Sequence, residues 1–311
     1  MKILALAGGI ALLALLALAV WLWTPDRDRA ALEAVYLRAP GDLRQVGPWR
    51  LHLRDTGPRD AAAILFIHGF GSSLHTWEAW ASALESTYRV VRFDLPGCGL
   101  SDPDPTGDYS DARSMKLIVA VMDSLGLAKA SIAGHSIGGR LAWTFAARHP
   151  ERVERLVLVA PDGFASPGFE YGRAADVPTS LALMRYVLPR PLLAMSLEPA
   201  YADPTVMTAA LATRYHEMML APGARQAMLA RMRQTVLTDP VPQLRGIQVP
   251  TLLIWGKQDA MIPFANSDDY LGALPNARLS ALPGVGHVPH EERAELGLEA
   301  LRGFLKATQG K

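Results

Sequence analysis

A chain of 311 residues, half of them hydrophobic, is long enough to bury the core of one domain plus an insertion. Its formal net charge is +1, with lysines and arginines interspersed among acids, so no basic tract marks a nucleic-acid partner. The single cysteine excludes an intramolecular disulfide framework.

In chain order, the first feature is an uncharged run from Ile3 to Trp23 dominated by Leu and Ala. At ~1.5 Å per residue it spans roughly the ~30 Å hydrocarbon core of a bilayer. Trp21 and Trp23 fall where an interfacial aromatic belt lies, and Thr24-Pro25-Asp26-Arg27 closes the run. Residues 1–25 are therefore expected to be a retained single-helix anchor. The membrane would then be a partner, and the rest of the chain would sit on the periplasmic or extracellular side. The alternative is a cleaved signal segment and secretion, since Lys2 gives a minimal n-region and Ala17-Leu18-Ala19 fits a small-x-small cleavage site. Residues 26–48 are polar and read as a tether or short helix.

Beyond them the spacing predicts strands at 49–55, 63–68, 88–94, 130–134, 154–160, 250–255 and 277–282. Helices are expected near 75–86, 111–126, 137–149, 263–273 and 290–307. This alternation predicts an α/β fold with a mostly parallel central sheet covered on both faces, built from residues 49–162 and 247–311. From Gly163 to Gly246 the alternation stops, and methionines in helical surroundings are punctuated by prolines. Methionine is flexible and apolar, which suits either acyl-pocket lining or the interior of this insertion.

Gly134-His135-Ser136-Ile137-Gly138 is a G-x-S-x-G pentapeptide between a short apolar run and an amphipathic helical pattern. Its glycines let a serine occupy a strained turn with the hydroxyl projecting outward, which makes Ser136 a candidate nucleophile. A serine hydroxyl needs a histidine to take its proton and a carboxylate to orient that histidine. Asp259 follows the strand-like run ending at Trp255-Gly256, and His287 ends the loop Pro283-Gly284-Val285-Gly286. The catalytic set read from the sequence is therefore Ser136, Asp259 and His287, in that order.

Together these residues resemble the α/β-hydrolase family. His68-Gly69-Phe70-Gly71 is similar to its HG-x-G loop after strand 3, and Asp94-Leu95-Pro96-Gly97-Cys98-Gly99-Leu100-Ser101 to its loop after strand 4. Gly134 to Gly139 matches the nucleophile elbow, Trp255 to Pro263 the acid loop, and Gly286-His287 the histidine loop. One departure is Cys98, where the family more often carries a polar or basic side chain. The resemblance implies an oxyanion hole made by the N–H groups of Phe70 and Ile137. It also implies that residues 163–246, which follow the family's strand 6, form a helical lid above Ser136.

Several residues have rival readings. Asp162 occupies the position from which some hydrolases of this fold supply their acid, although it also suits a turn. His290 competes with His287, but with Glu291 and Glu292 it reads as the polar start of the last helix. His68 reads as a brace for its loop, and His135 as a satisfied buried histidine. His52, His75, His149 and His216 have no metal-ligand spacing, and the glycines lack a dinucleotide-binding order, so no metal and no cofactor are expected.

The resemblance implies a serine hydrolase of carboxylic esters, lipid-derived or monoacylglycerol-like. The first alternative is a C–C bond hydrolase of the meta-cleavage type, which uses a similar triad but an aromatic-rich loop where this chain has Val288-Pro289-His290-Glu291-Glu292. The second is a non-catalytic, membrane-anchored binding module. Epoxide hydrolases and haloalkane dehalogenases need a carboxylate where this chain has Ser136.

Overall fold

The computed structural model of the protein describes residues 2–165, 170–174 and 176–307, the side chains of residues 2–5 and 7 excepted. Among these residues eight strands form one sheet: β1 (Leu43–Val46), β2 (Trp49–Thr56), β3 (Ala63–Ile67), β4 (Arg89–Phe93), β5 (Ala130–His135), β6 (Val153–Val159), β7 (Thr251–Gly256) and β8 (Ala277–Leu282). Their order is β1-β2-β4-β3-β5-β6-β7-β8. β2 is antiparallel to both of its neighbours, and every pairing from β4 to β8 is parallel.

The strands are apolar on both faces because helices cover both. Leu65 and Ile67 of β3 pack with Ile132, Leu158 and Leu253 beneath α4 (Asp111–Ser124) and α5 (Ile137–Arg148). The alternate residues Ile64 and Phe66 pack on the other face with Trp77, Trp80, Leu301 and Phe304, under α3 (Glu78–Leu84) and α13 (Ala294–Ala307). Two such layers give the α/β sandwich its core. Helices α11 (Asn266–Ala273) and α12 (Pro289–Glu292) complete the C-terminal part.

Between β6 and β7 lie α6 (Thr179–Ala182), α7 (Arg190–Leu197), α8 (Ala209–Met219), α9 (Ala224–Gln234) and α10 (Val241–Arg245). Residues 166–169 and 175 of this insertion lie outside the described residues. Met184, Leu188, Leu193, Tyr215, Met219 and Leu229 give it a small core of its own. It packs down on the loops at the C-terminal edge of the sheet, close enough that a Cβ at Gly97 would stand 2.2 Å from Ala227 Cβ.

The N-terminal expectation requires correction. Among the described residues no helix is long and apolar enough to cross a membrane, so a membrane-anchored protein with its domain on the periplasmic or extracellular side is not supported. The apolar run lies in helix α1 (Lys2–Leu22). Of the two tryptophans expected at a lipid interface, Trp21 is exposed and Trp23 stacks on Tyr186 of the insertion with ring centroids 5.7 Å apart. Thr24 continues the docking: its N–H donates to Tyr186 O at 2.8 Å and its hydroxyl accepts from Leu188 N at 2.7 Å. The buried Arg225 donates to Thr24 O at 2.7 Å and to Asp26 Oδ1 at 2.5 Å. Residues 26–48 hold α2 (Arg29–Tyr36) and β1, which pairs with β2 across a tight turn with Gly47 at φ 54°.

Candidate active site

The sheet reverses its winding between β3 and β5, because the chain leaves β3 toward β4 on one side and enters β5 on the other. Ligand crevices in open parallel sheets form at such a point, beyond the C-terminal strand ends. Ile67 of β3 pairs with Gly134 of β5, so the Gly69–Gly71 loop and the Ser136 turn emerge side by side. A Cβ placed on Gly69 would lie 3.3 Å from Ser136 Cβ.

Ser136 itself has φ 53° and ψ −121°, a conformation that costs a non-glycine residue on the order of 1–3 kcal/mol. Surrounding contacts hold it there. Its N–H donates to Val159 O at 3.0 Å, and its carbonyl accepts from Asp162 N at 3.0 Å and Arg140 N at 3.1 Å. The turn is too tight for side chains on its flanks, since a Cβ on Gly138 would meet Ile67 O at 2.3 Å and one on Gly134 would meet Gly138 O at 2.1 Å. Ile137 opens α5, so its N–H is among the first-turn donors that have no acceptor within the helix. Phe70, the other residue expected at an oxyanion hole, sits in the loop between Gly69 and Gly71 with its ring partly exposed.

Asp259 and His287 meet across the ends of β7 and β8. His287 Nδ1 lies 2.8 Å from Asp259 Oδ2, and both side chains are buried. The other carboxylate oxygen accepts from Met261 N at 2.8 Å and Ile262 N at 2.9 Å, which fixes the acid. A carboxylate only accepts, so Nδ1 carries the proton and Nε2 is left as a base. The Asp162 carboxylate instead accepts from Arg140 Nε at 3.1 Å.

His68 is fully buried between two loops. It accepts from Leu95 N–H through Nε2 at 2.9 Å and therefore donates from Nδ1 to Gly69 O at 2.8 Å, tying the loop after β3 to the loop after β4. Burial lowers its pKa, which favours this neutral form. His52 makes a second brace, with Nδ1 2.8 Å from Asp94 Oδ2, while Asp94 also accepts from Leu74 N and Leu100 N.

Two acids and one histidine differ from their reading in the sequence. His290 does not start an exposed helix; it is completely buried, stacks on Trp77 at 4.1 Å and bonds Thr76 Oγ1 through Nε2 at 2.9 Å. Glu292 is also buried and accepts from Gly286 N at 2.6 Å and from Asp203 N at 2.8 Å. Glu291 accepts from the hydroxyls of Tyr201 and Tyr215 and pairs with Arg214. With His287 N donating to Ala200 O at 2.7 Å, these bonds fasten the insertion to the histidine loop. The only sequence signal was the pair of acids itself, since every partner from the insertion lies far away along the chain.

Beside the Gly71–Ser72 end of the loop after β3 is a cavity of ≈ 20 Å³ lined by Gly97, Cys98, Gly99, Met218, Met219, Ala224 and Met228. That is room for about one water molecule. No lining residue is charged, and Cys98 is a neutral thiol whose pKa burial pushes up to about 11. Among the described residues no group of three or more His, Cys, Asp or Glu is arranged to hold a metal ion.

Comparison with known proteins places this geometry in context. A family model described as alpha/beta hydrolase fold matches residues 62–294, more than half of the chain. A 2-hydroxymuconate semialdehyde hydrolase from Pseudomonas putida is 33% identical over 268 residues, covering 83% of this chain and 91% of its own. Among solved structures, a bacterial membrane phospholipase A is similar with a TM-score of 0.74 at 25% identity, covering 100% of both chains. A meta-cleavage product hydrolase from Pseudomonas fluorescens is similar with a TM-score of 0.72 at 25% identity, covering 86% of this chain and 98% of its own.

Proposed function

Because this chain belongs to the α/β hydrolase family, we propose that it cleaves carboxylic esters with apolar acyl groups through an acyl-enzyme on Ser136. Ser136 Oγ attacks the acyl carbonyl while His287 Nε2 takes its proton, and Asp259 holds the imidazole and stabilises its charge. The N–H groups of Phe70 and Ile137 receive the negative charge that develops on the carbonyl oxygen. The proton passes to the departing alcohol, and water, activated by the same histidine, releases the acid.

The observation that carries the ester reading is the methionine-lined, uncharged cavity against the oxyanion loop. An apolar acyl chain gains by contact with such walls, whereas a substrate carboxylate there would lose hydration with no lining side chain to pair with it. The solved phospholipase A, similar over the whole chain, supports the same direction. A second reading, hydrolytic C–C cleavage, is favoured by the 2-hydroxymuconate semialdehyde hydrolase at 33% identity and by the similar solved meta-cleavage product hydrolase.

The two readings separate in one assay. The purified protein is given p-nitrophenyl esters of two to sixteen carbons and, in parallel, 2-hydroxymuconate semialdehyde. Ester turnover that peaks at one chain length, with no consumption of the semialdehyde, is the expected result. Turnover of the semialdehyde alone would replace this proposal with the second reading.

A further inference from the structure

His135 precedes the nucleophile and touches two other parts of the site. It closes β5 and leads directly into Ser136. Its Nε2 lies 2.9 Å from the main-chain carbonyl oxygen of His287. A carbonyl only accepts, so Nε2 carries the proton and Nδ1 the lone pair. Nδ1 is buried without a hydrogen-bond partner. It faces the oxyanion loop, where a Cβ on Gly69 would stand only 2.6 Å from it. Only the Cα–H of a glycine fits against that lone pair.

Two imidazoles also face the ring, those of His287 and His290, each with its centroid 4.6 Å away. A residue whose task was to fill this space would do better as an apolar ring, because a buried lone pair without a partner is a cost that phenylalanine avoids. The nitrogen that is satisfied is therefore the informative one. It joins two segments 152 positions apart in the chain, and those segments carry Ser136 and His287. Burial, reinforced by the neighbouring His290 and His287, holds the pKa of His135 well below the ordinary imidazole range, so the ring remains a neutral donor.

We propose that His135 is a positioning residue, whose Nε2–H holds the His287 main chain against the nucleophile turn while its ring sets the place of Gly69 in the oxyanion loop. This rests on the reading of Ser136 and His287 as nucleophile and base. His135 touches no substrate; it acts through the spacing of groups that do. A misplacement of about 1 Å in such a constellation lowers the rate by about 100-fold while leaving binding largely intact.

The test uses the full chain as wild type, His135→Phe, His135→Gln and Ser136→Ala. For each, kcat and KM on a p-nitrophenyl ester are measured, with the rate at which a phosphonate labels Ser136. The Phe variant removes the donor and keeps the ring; the Gln variant places an amide N–H near the same carbonyl. The expected result is a kcat about 100-fold lower in the Phe variant with KM within about threefold, slower labelling in step, and at least about tenfold recovery in the Gln variant. A Phe variant with wild-type kcat, or Phe and Gln variants equally impaired, would overturn the proposal.

Should the Phe variant fail to fold, histidine nitrogen NMR of the wild type decides. A neutral Nε2–H ring for His135 that does not titrate between about pH 5 and 9 is expected, and an Nδ1–H or titrating ring overturns the assignment. Folded wild type that neither hydrolyses esters nor labels at Ser136 would sink the functional reading instead, and the NMR result would still report on the His135 bond alone.

Discussion

Arg140 Nε donates to the Asp162 carboxylate at 3.1 Å, and the same guanidinium reaches Asp111 at the start of α4. Two acids hold the charge of this buried arginine, and their field raises its pKa against the opposing effect of burial. Asp162 is thereby committed to packing α5 against the end of β6, while the histidine of the site faces Asp259 at 2.8 Å. The two carboxylates should respond to the same substitution in opposite ways. Asp259→Asn is expected to lower kcat by about 10⁴-fold with little change in unfolding midpoint, because the amide favours the wrong tautomer of His287. Asp162→Asn should keep kcat within about tenfold and lose about 1–3 kcal/mol of stability from the weakened Arg140 pair. Steady-state kinetics and urea unfolding of both variants check this.

The cavity predicts a size limit. Met218, Met219 and Met228 nearly fill the space beside the loop after β3, so acyl chains longer than acetate displace methionine side chains as they enter. Met228→Ala should leave acetate hydrolysis almost unchanged and raise kcat/KM for longer esters by about fourfold per additional methylene accommodated. An unchanged chain-length profile would place the acyl group elsewhere.

Thr24 predicts where the chain tolerates trimming. It links Tyr186 and Leu188 on one side of the insertion to Arg225 on the other. A chain lacking residues 1–22 retains these bonds; one lacking residues 1–25 leaves Arg225 and two main-chain groups short of partners. The shorter chain is expected to be about 1–3 kcal/mol less stable by urea titration, and Thr24→Ala to lose about 1 kcal/mol. Equal midpoints for the two truncations would show that the strap contributes nothing.

Asp104 predicts a pH dependence of stability. Burial raises its pKa, but donors from Arg113, Thr106 and Trp49 outweigh burial and bring it to about 2. A carboxylate depressed on folding contributes stability that is present above its unfolded pKa near ~4 and is lost as pH falls through about 2. The stability gap between wild type and Asp104→Asn should therefore be widest at neutral pH and shrink below about pH 4. A gap independent of pH would assign the effect to packing alone.

The sequence displays these features unevenly, and the reason is range. Strands such as β3 and β7 are legible because both faces are buried, which leaves nearly continuous apolar runs between turn residues. The strand β1 is not: only Val46 of its four residues is buried, and pairing across the Gly47 turn defines it. Glycine spacing makes the Ser136 turn visible, since Gly134 and Gly138 are required by contacts only a few residues away and by the adjacent β3. The roles of His135, Glu292 and Thr24 are illegible for the opposite reason, because each is decided by a partner 89 to 201 positions distant. Hydropathy gives the composition of α1 but says nothing of its docking through Trp23 onto Tyr186.

The most direct test of the ester-cleaving account is pre-steady-state hydrolysis of a medium-chain p-nitrophenyl ester by wild type and Ser136→Ala, with intact mass measured during turnover. The account predicts a burst of about one nitrophenolate per chain, an added acyl mass on the peptide carrying Ser136, and neither in the variant. Turnover that survives the loss of the Ser136 hydroxyl, or an acyl mass found on another residue, would contradict it.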